Sequence, residues 1–303
     1  MSLASFSALE RIHLYNYSSQ TEYSIGSLTS IEDIVTVLGS LGQLKRLSLT
    51  SWTLESFEQL RDVVSACRGL EELHLNHLNA AQSPQILPYQ PNMPLSPPPI
   101  RAFFISKSTF EGQMVVWMAS CATYLPIRSL SVGFFETFIL NSRSCGSMLR
   151  AIGSSLEHLS INCIGVSSNH ERIFEDIDLG HNSQLETLTL RNCNLQNIRH
   201  NVISLIDQVS SCNIQKITIE IDEHQSYPPF EDVQDLSSFG VIDTIFRRPN
   251  FARLGELHIL AGWTHGEEFS KNMFKAALPH FAARANIHLK LDIYDLMGAD
   301  QAC

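Results

Sequence analysis

The sequence lacks the patterns that most catalytic and metal chemistries require. Its 303 residues hold no Cys-x-x-Cys, no His-x-x-x-His and no His-Glu-x-x-His, so no ligand pair has the spacing that holds zinc. Gly-x-x-x-x-Gly-Lys, Gly-x-Gly-x-x-Gly and Gly-x-Ser-x-Gly are also missing, which removes the phosphate-cradling loops and the nucleophile elbow. No stretch approaches the roughly 20 apolar residues that span a bilayer. No basic residue precedes the apolar residues at the amino terminus, so a secretory signal is not expected. Positive charge is scarce: 21 Lys and Arg against 31 Asp and Glu give a formal net charge of -10 and a pI near 5.6. That balance argues against nucleic acid and anionic membrane as partners. Cysteine is sparse and odd in number, seven in all, which reads as reduced thiols and a cytoplasmic or nuclear protein. The sequon Asn16-Tyr17-Ser18 is then an accident of composition.

What is present is a repeat. The run from Leu185 to Leu195, Leu-Glu-Thr-Leu-Thr-Leu-Arg-Asn-Cys-Asn-Leu, fits the leucine-rich-repeat signature at every specified position. The shorter core, apolar-x-x-apolar-x-apolar, starts at Leu9, Leu44, Leu70, Ile100, Ile127, Leu156, Leu185, Ile214 and Leu254. The steps from Ile127 through Leu156 and Leu185 to Ile214 are 29 residues each. Alternation within a core, as with Leu188 and Leu190 against Thr187 and Thr189, reads as a strand with one face inward. Between cores, Ile31, Ile34, Val35 and Leu38 form a helical stripe, as do Phe57, Leu60, Val63 and Val64, and Ile198, Val202, Leu205, Ile206 and Val209. Ser30-Ile-Glu-Asp33 resembles a capping box.

Strand followed by helix, repeated, calls for parallel strands joined by right-handed crossovers. Helices are wider than strands, so stacked units bend with the sheet on the inside. The expected fold is α/β: a leucine-rich-repeat solenoid forming a curved horseshoe segment, about ten parallel strands on the concave face and helices on the convex one. One solenoid spans 1–303, its last strand at Ile287-His-Leu-Lys-Leu291 and a tail at 292–303. Prolines at 84, 88, 91, 94, 97, 98 and 99 make 79–99 an inserted loop in place of a convex helix. No basic residue flanks that run, since Arg101 already belongs to the next strand, which favours a structural loop over a polyproline ligand. A second insertion, 222–232, falls at a rim.

Repeat geometry places the residues two, four and six positions after each core start on the concave face, one row per offset. Most are small hydroxyl residues, which suit any pleated surface. The expected partner-binding set is Arg11, His13, Tyr15, Arg46, Thr50, Glu72, His74, Asn76, Phe104, His158 and Asn162, because aromatic and arginine side chains concentrate at interface hot spots. His13 and His74 are a strand apart and His74 and His77 leave opposite faces, so no metal is expected. No cofactor and no catalytic residue is expected. Cys67, Cys193 and Cys212 read as small buried side chains.

Helices that end in cysteine just before the core, Ala66-Cys67-Arg-Gly-Leu70 and Ser211-Cys212-Asn-Ile214, resemble the repeats of F-box substrate receptors. The uneven spacing and the weak units at Ile100 and Ile127 are similar to fungal F-box-type proteins. The resemblance implies the substrate-recognition part of an SCF-type ubiquitin-ligase receptor, its repeats holding a target while an F-box binds the ligase adaptor. The first core begins at Leu9, which leaves no room for an F-box ahead of it. An adaptor is a partner only if an F-box exists elsewhere. The residues support a non-catalytic protein-interaction module. A free-standing inhibitor or regulator, built like ribonuclease inhibitors or leucine-rich GTPase regulators, is the alternative. With only Ser2 to Ala8 to cap the first repeat, an apolar edge open to self-association is expected.

Overall fold

The computed structural model describes residues 9–16, 31–81, 97–133, 139–163, 176–193, 198–221, 237–263, 267–284 and 288–295. The class is α/β, with a ten-stranded sheet of parallel strands taken in sequence order and a separate two-stranded sheet. Nine of the ten strands of the large sheet begin two residues after the first apolar residue of their core, from Arg11 after Leu9 to Glu256 after Leu254. The core residue itself sits under a turn, its N–H donating to the carbonyl three residues back: Leu44 to Leu41, Leu70 to Cys67, Leu185 to Asn182 and Leu254 to Phe251, at 2.9 to 3.1 Å. The next carbonyl accepts two N–H groups from the following repeat. Glu10 O takes those of Lys45 and Arg46 at 2.8 and 2.9 Å, and Glu186 O takes those of Gln215 and Lys216 at 2.8 and 3.2 Å. Pairing at this point locks the register, since a slip of one residue would turn every leucine outward.

The chain forms two compact units, Met1–Val132 and Gly133–Cys303. The first holds β1 (Arg11–Tyr15), β2 (Arg46–Thr50), the short β3 (Thr53–Leu54), β4 (Glu72–Asn76), the short β5 (Asn79–Ala80), β6 (Ala102–Ser106) and the start of β7 (Ser129–Gly133), with helices α1 (Ile31–Ser40), α2 (Phe57–Ala66) and α3 (Glu111–Cys121). Leu47, Leu49, Leu73, Leu75, Phe103 and Ile105 fill the core from the strands, and Leu38, Phe57, Leu60, Val64, Trp117 and Met118 from the helices. Ile12 and Leu14 of β1 are only half-buried; the expected cap, residues 2–8, and Ser30 of the capping box lie outside the described residues. The chain leaves β2, β4 and β6 through a left-handed residue, Ser51 (φ 61°), His77 (φ 53°) and Lys107 (φ 52°). This turn sends the next residue inward: Leu78 and Ser108 are buried, and Trp52 donates its indole N–H to Leu14 O at 3.1 Å. β3 and β5 then pair, and Thr109 Oγ1 extends the ladder by accepting the Ala80 N–H at 2.8 Å. Of the expected insertion 79–99, Asn79 and Ala80 are thus strand, 97–99 are non-helical, and 82–96 lie outside the described residues.

The second unit carries β8 (His158–Asn162), β9 (Thr187–Cys193), β10 (Lys216–Ile221), β11 (Glu256–Trp263) and β12 (His288–Asp295), with α4 (Ile139–Ile152) the longest of its helices. Three points differ from the sequence reading. β12 runs to Asp295, because Asp292, Ile293 and Tyr294 continue the pairing with Leu260, Ala261 and Gly262; the segment 292–303 therefore begins as strand, not tail. β9 carries a bulge: Ile219 pairs with Leu190 but Ile221 with Cys193, and Asn192 is left-handed at φ 51°. The extra residue breaks the expected row between Arg191 and Glu220 and brings Cys193 Sγ to 3.8 Å from Cys163 Sγ. Cys212 is exposed. The place three residues before the core start, held by Cys67 before Leu70, belongs to Ser211 before Ile214; Ser211 is buried and donates its hydroxyl to Leu185 O at 2.7 Å. The insertion 222–232 lies outside the described residues.

Candidate functional site

Alternation decides which side chains the strands display. In Arg-Ile-His-Leu-Tyr, Arg-Leu-Ser-Leu-Thr, Glu-Leu-His-Leu-Asn and Ala-Phe-Phe-Ile-Ser, the second and fourth residues go to the core and the others to the opposite face. In the first unit the pairing aligns Arg11 with Arg46, Glu72 and Ala102; His13 with Ser48, His74 and Phe104; and Tyr15 with Thr50, Asn76 and Ser106. All of the expected binding residues except His158 and Asn162 therefore share this one face.

Side chains on it are tied across strands. Arg46 Nε donates to Glu72 Oε2 at 2.6 Å, and His74 Nε2 donates to Glu72 Oε1 at 2.5 Å. The His74 ring stacks on Phe104 with centroids 4.2 Å apart and planes at 19°. Partial burial alone would raise the Glu72 pKa, but the bonds from His74 and Arg46 outweigh it and hold the carboxyl below its ordinary value. On the first two strands His13 Nε2 lies 3.1 Å from Thr50 Oγ1 and meets the Tyr15 ring edge-on at 6.4 Å. Tyr15 is 48% exposed. Asn76 is half-buried, and its carbonyl accepts the Ser51 N–H at 2.9 Å. Arg11 is exposed and has no ion-pair or hydrogen-bond partner among the described residues.

In the second unit His158 Nδ1 lies 3.0 Å from Thr187 Oγ1, and Asn162 Oδ1 accepts the Asn192 amide at 2.7 Å. Two further clusters share its displayed face. Lys216 pairs with Glu256 at 2.7 Å, and Asp292 accepts from both His258 (2.9 Å) and Lys290 (2.7 Å). The Lys216 bond holds the Glu256 carboxyl below its ordinary pKa, as Lys290 and then His258 do for Asp292. The Asp292 cluster escapes the sequence reading because the last strand was ended at Leu291, although the alternation Leu289, Leu291, Ile293 continues past it. The left-handed row Ser51, His77, Lys107 escapes it too, since serine and lysine carry no preference for a positive φ and the enrichment of histidine there is too weak to mark one position.

Chemically the two faces offer donors, acceptors and rings. His13 and His158 each meet a threonine hydroxyl, but among the described residues no carboxylate orients either ring, and a nucleophile–base pair depends on that third group. Among the described residues no three His, Cys, Asp or Glu side chains gather as cation ligands, and no described helix is long and apolar enough to cross a membrane.

No protein-family model matches the sequence, and no curated protein matches it. Among solved structures the chain is similar to the leucine-rich repeat-containing protein LegL7 from Legionella pneumophila, at 12% identity and a TM-score of 0.45, covering 89% of this chain and 72% of that one. The leucine-rich-repeat character of this chain rests on its own buried leucines and strand register.

Proposed function

We propose that the chain is a non-catalytic protein-interaction module whose displayed strand face holds a protein partner. The observation that carries this reading is the ring and arginine cluster of the first unit, Tyr15, His13, Arg46, His74 and Phe104, set in register on a sheet. Such residues bury large area at little entropic cost because their neighbours already hold them. A receptor that selects targets for a cullin-type ubiquitin ligase is the finer form of this reading, supported by the Ala66-Cys67-Arg-Gly-Leu70 resemblance. An inhibitor or regulator of another protein is the alternative, and no observation favours it over the receptor. Affinity capture from native cells separates them. Wild-type chain should retain a protein that Tyr15→Ala/Phe104→Ala loses, and a ligase adaptor among the captured proteins supports the receptor form. Equal capture by both chains overturns docking on this face.

A further inference from the structure

We infer that the displayed face of the first unit takes an acidic segment of its partner, an inference that rests on the docking reading above and names the partner's chemistry. Four adjacent strand ends, His13-Leu-Tyr-Asn16, Ser48-Leu-Thr-Ser51, His74-Leu-Asn-His77 and Phe104-Ile-Ser-Lys107, lie side by side in register and contain no carboxylate. They offer imidazole, hydroxyl and amide donors instead. Within these strands and the residues that lead into them, the carboxylates Glu10, Glu71 and Glu72 stand at the opposite end. There Glu71 is already held by Lys45 at 2.8 Å and Arg101 at 3.8 Å, and Glu72 by Arg46 and His74.

Counting fixed charges on the displayed positions and the left-handed lip, Arg11, Arg46 and Lys107 face Glu72 alone: three cations less one carboxylate leaves +2. The whole chain carries -10, so this face is positive against the trend. Neither Arg11 nor Lys107 has an ion-pair partner among the described residues. The second unit does not repeat the pattern, because Glu220 and Asp292 occupy its corresponding strand ends. Opposite charge steers and selects a partner more than it tightens binding, and the exposed Tyr15 on β1, with Phe104 three strands away on β6, supplies apolar contact at the two sides of this face. Nucleic acid is a poorer fit. Three fixed cations, one already paired, are too few to neutralise a run of phosphates on a chain of this net charge.

The test compares two fluorescein-labelled peptides by anisotropy: one of Glu and Asp around a single Trp, and its Gln and Asn counterpart. At about 50 mM salt the acidic probe should bind about tenfold more tightly than the neutral one, with the gap closing near about 0.5 M as screening shortens the field. Arg11→Gln and Lys107→Gln should each weaken the acidic probe about threefold and leave the neutral one unchanged, while Lys290→Gln in the second unit changes neither. Probes that bind alike, or variants that match wild type, overturn the inference. So does single-stranded RNA binding as tightly as the acidic peptide, or a salt-sensitive dimer in sedimentation that assigns the face to a second copy. If Tyr15→Ala weakens both probes equally and charge makes no difference, the acidic inference fails while docking on this face stands.

Discussion

Glycine at position 146 should be indispensable while glycine at position 240 should not, although both sit inside helices of the second unit. A Cβ built on Gly146 in α4 would lie 1.9 Å from the Asp176 carbonyl oxygen and 2.8 Å from its carbon, whereas real Cβ atoms stay beyond 3.0 Å. Gly146→Ala must therefore push backbone apart by about 1.1 Å, from 3.0 less 1.9. The obstacle is a main-chain segment that leads directly into the buried Ile177 and Leu179, so it yields only by lifting core side chains. Overpacking of that kind costs roughly 3 kcal/mol, and the higher helix propensity of alanine returns about 1, leaving a net loss of about 2 kcal/mol. Around Gly240, in the helix Ser237–Ile245, a Cβ meets nothing within 4 Å. Gly240→Ala should then gain about 0.5 to 1 kcal/mol from propensity and the narrower unfolded ensemble. Urea unfolding of the three chains should give midpoints in the order Gly240→Ala, wild type, Gly146→Ala, and hydrogen exchange should locate the damage at 176–179. A Gly146→Ala chain as stable as wild type refutes the claim that this glycine exists for close backbone approach.

Asp243 is buried at 3% exposure and accepts the N–H groups of Phe281 (2.8 Å) and His280 (3.2 Å) at the start of the helix Pro279–Ala283; Asp243→Ala should cost about 1 to 3 kcal/mol in urea unfolding, and an unchanged midpoint counts against the cap. Burial pushes the Cys67 thiol up to about 12, so under native conditions iodoacetamide should label the exposed Cys212 well before Cys67, as peptide mass spectrometry will show; equal labelling would contradict the packing. Glu72 has a folded pKa below its unfolded one, so its contribution is present above the unfolded carboxylate range near about 4.3 and is lost as pH falls through the folded value. Glu72→Gln should flatten that acid limb of the stability curve, and a limb of unchanged slope would remove Arg46 and His74 as its cause.

Much of the fold was legible in the residues because a repeat with strict alternation leaves few alternatives. The nine core starts placed the beginnings of nine strands, each two positions after its first apolar residue, but not the short β3 and β5 or the full length of β12. The rows of displayed side chains followed from the two-residue period for the first unit. They failed in the second at Arg191, where the Asn192 bulge adds a residue that no hydrophobic pattern records. Cys212 was misplaced by one position because cysteine suits both the buried place and the turn beside it, and only the buried Ser211 hydroxyl shows which residue the place belongs to.

By itself the sequence determined the repeat, the parallel order, the face each strand residue takes and the absence of a spaced ligand or nucleophile set. The faces and the ligand spacing depend on neighbours within about ten residues, and the repeat and the parallel order on a recurrence of similar units every 29 residues or so along the chain. Tertiary structure decided what those faces carry. The Arg46–Glu72–His74–Phe104 chain, the carboxylate-free strand ends, the left-handed lip and the clash that reserves Gly146 arise between residues that different repeats contribute. Distances across a sheet are set by register and backbone turns, and these exist only once the repeats have stacked.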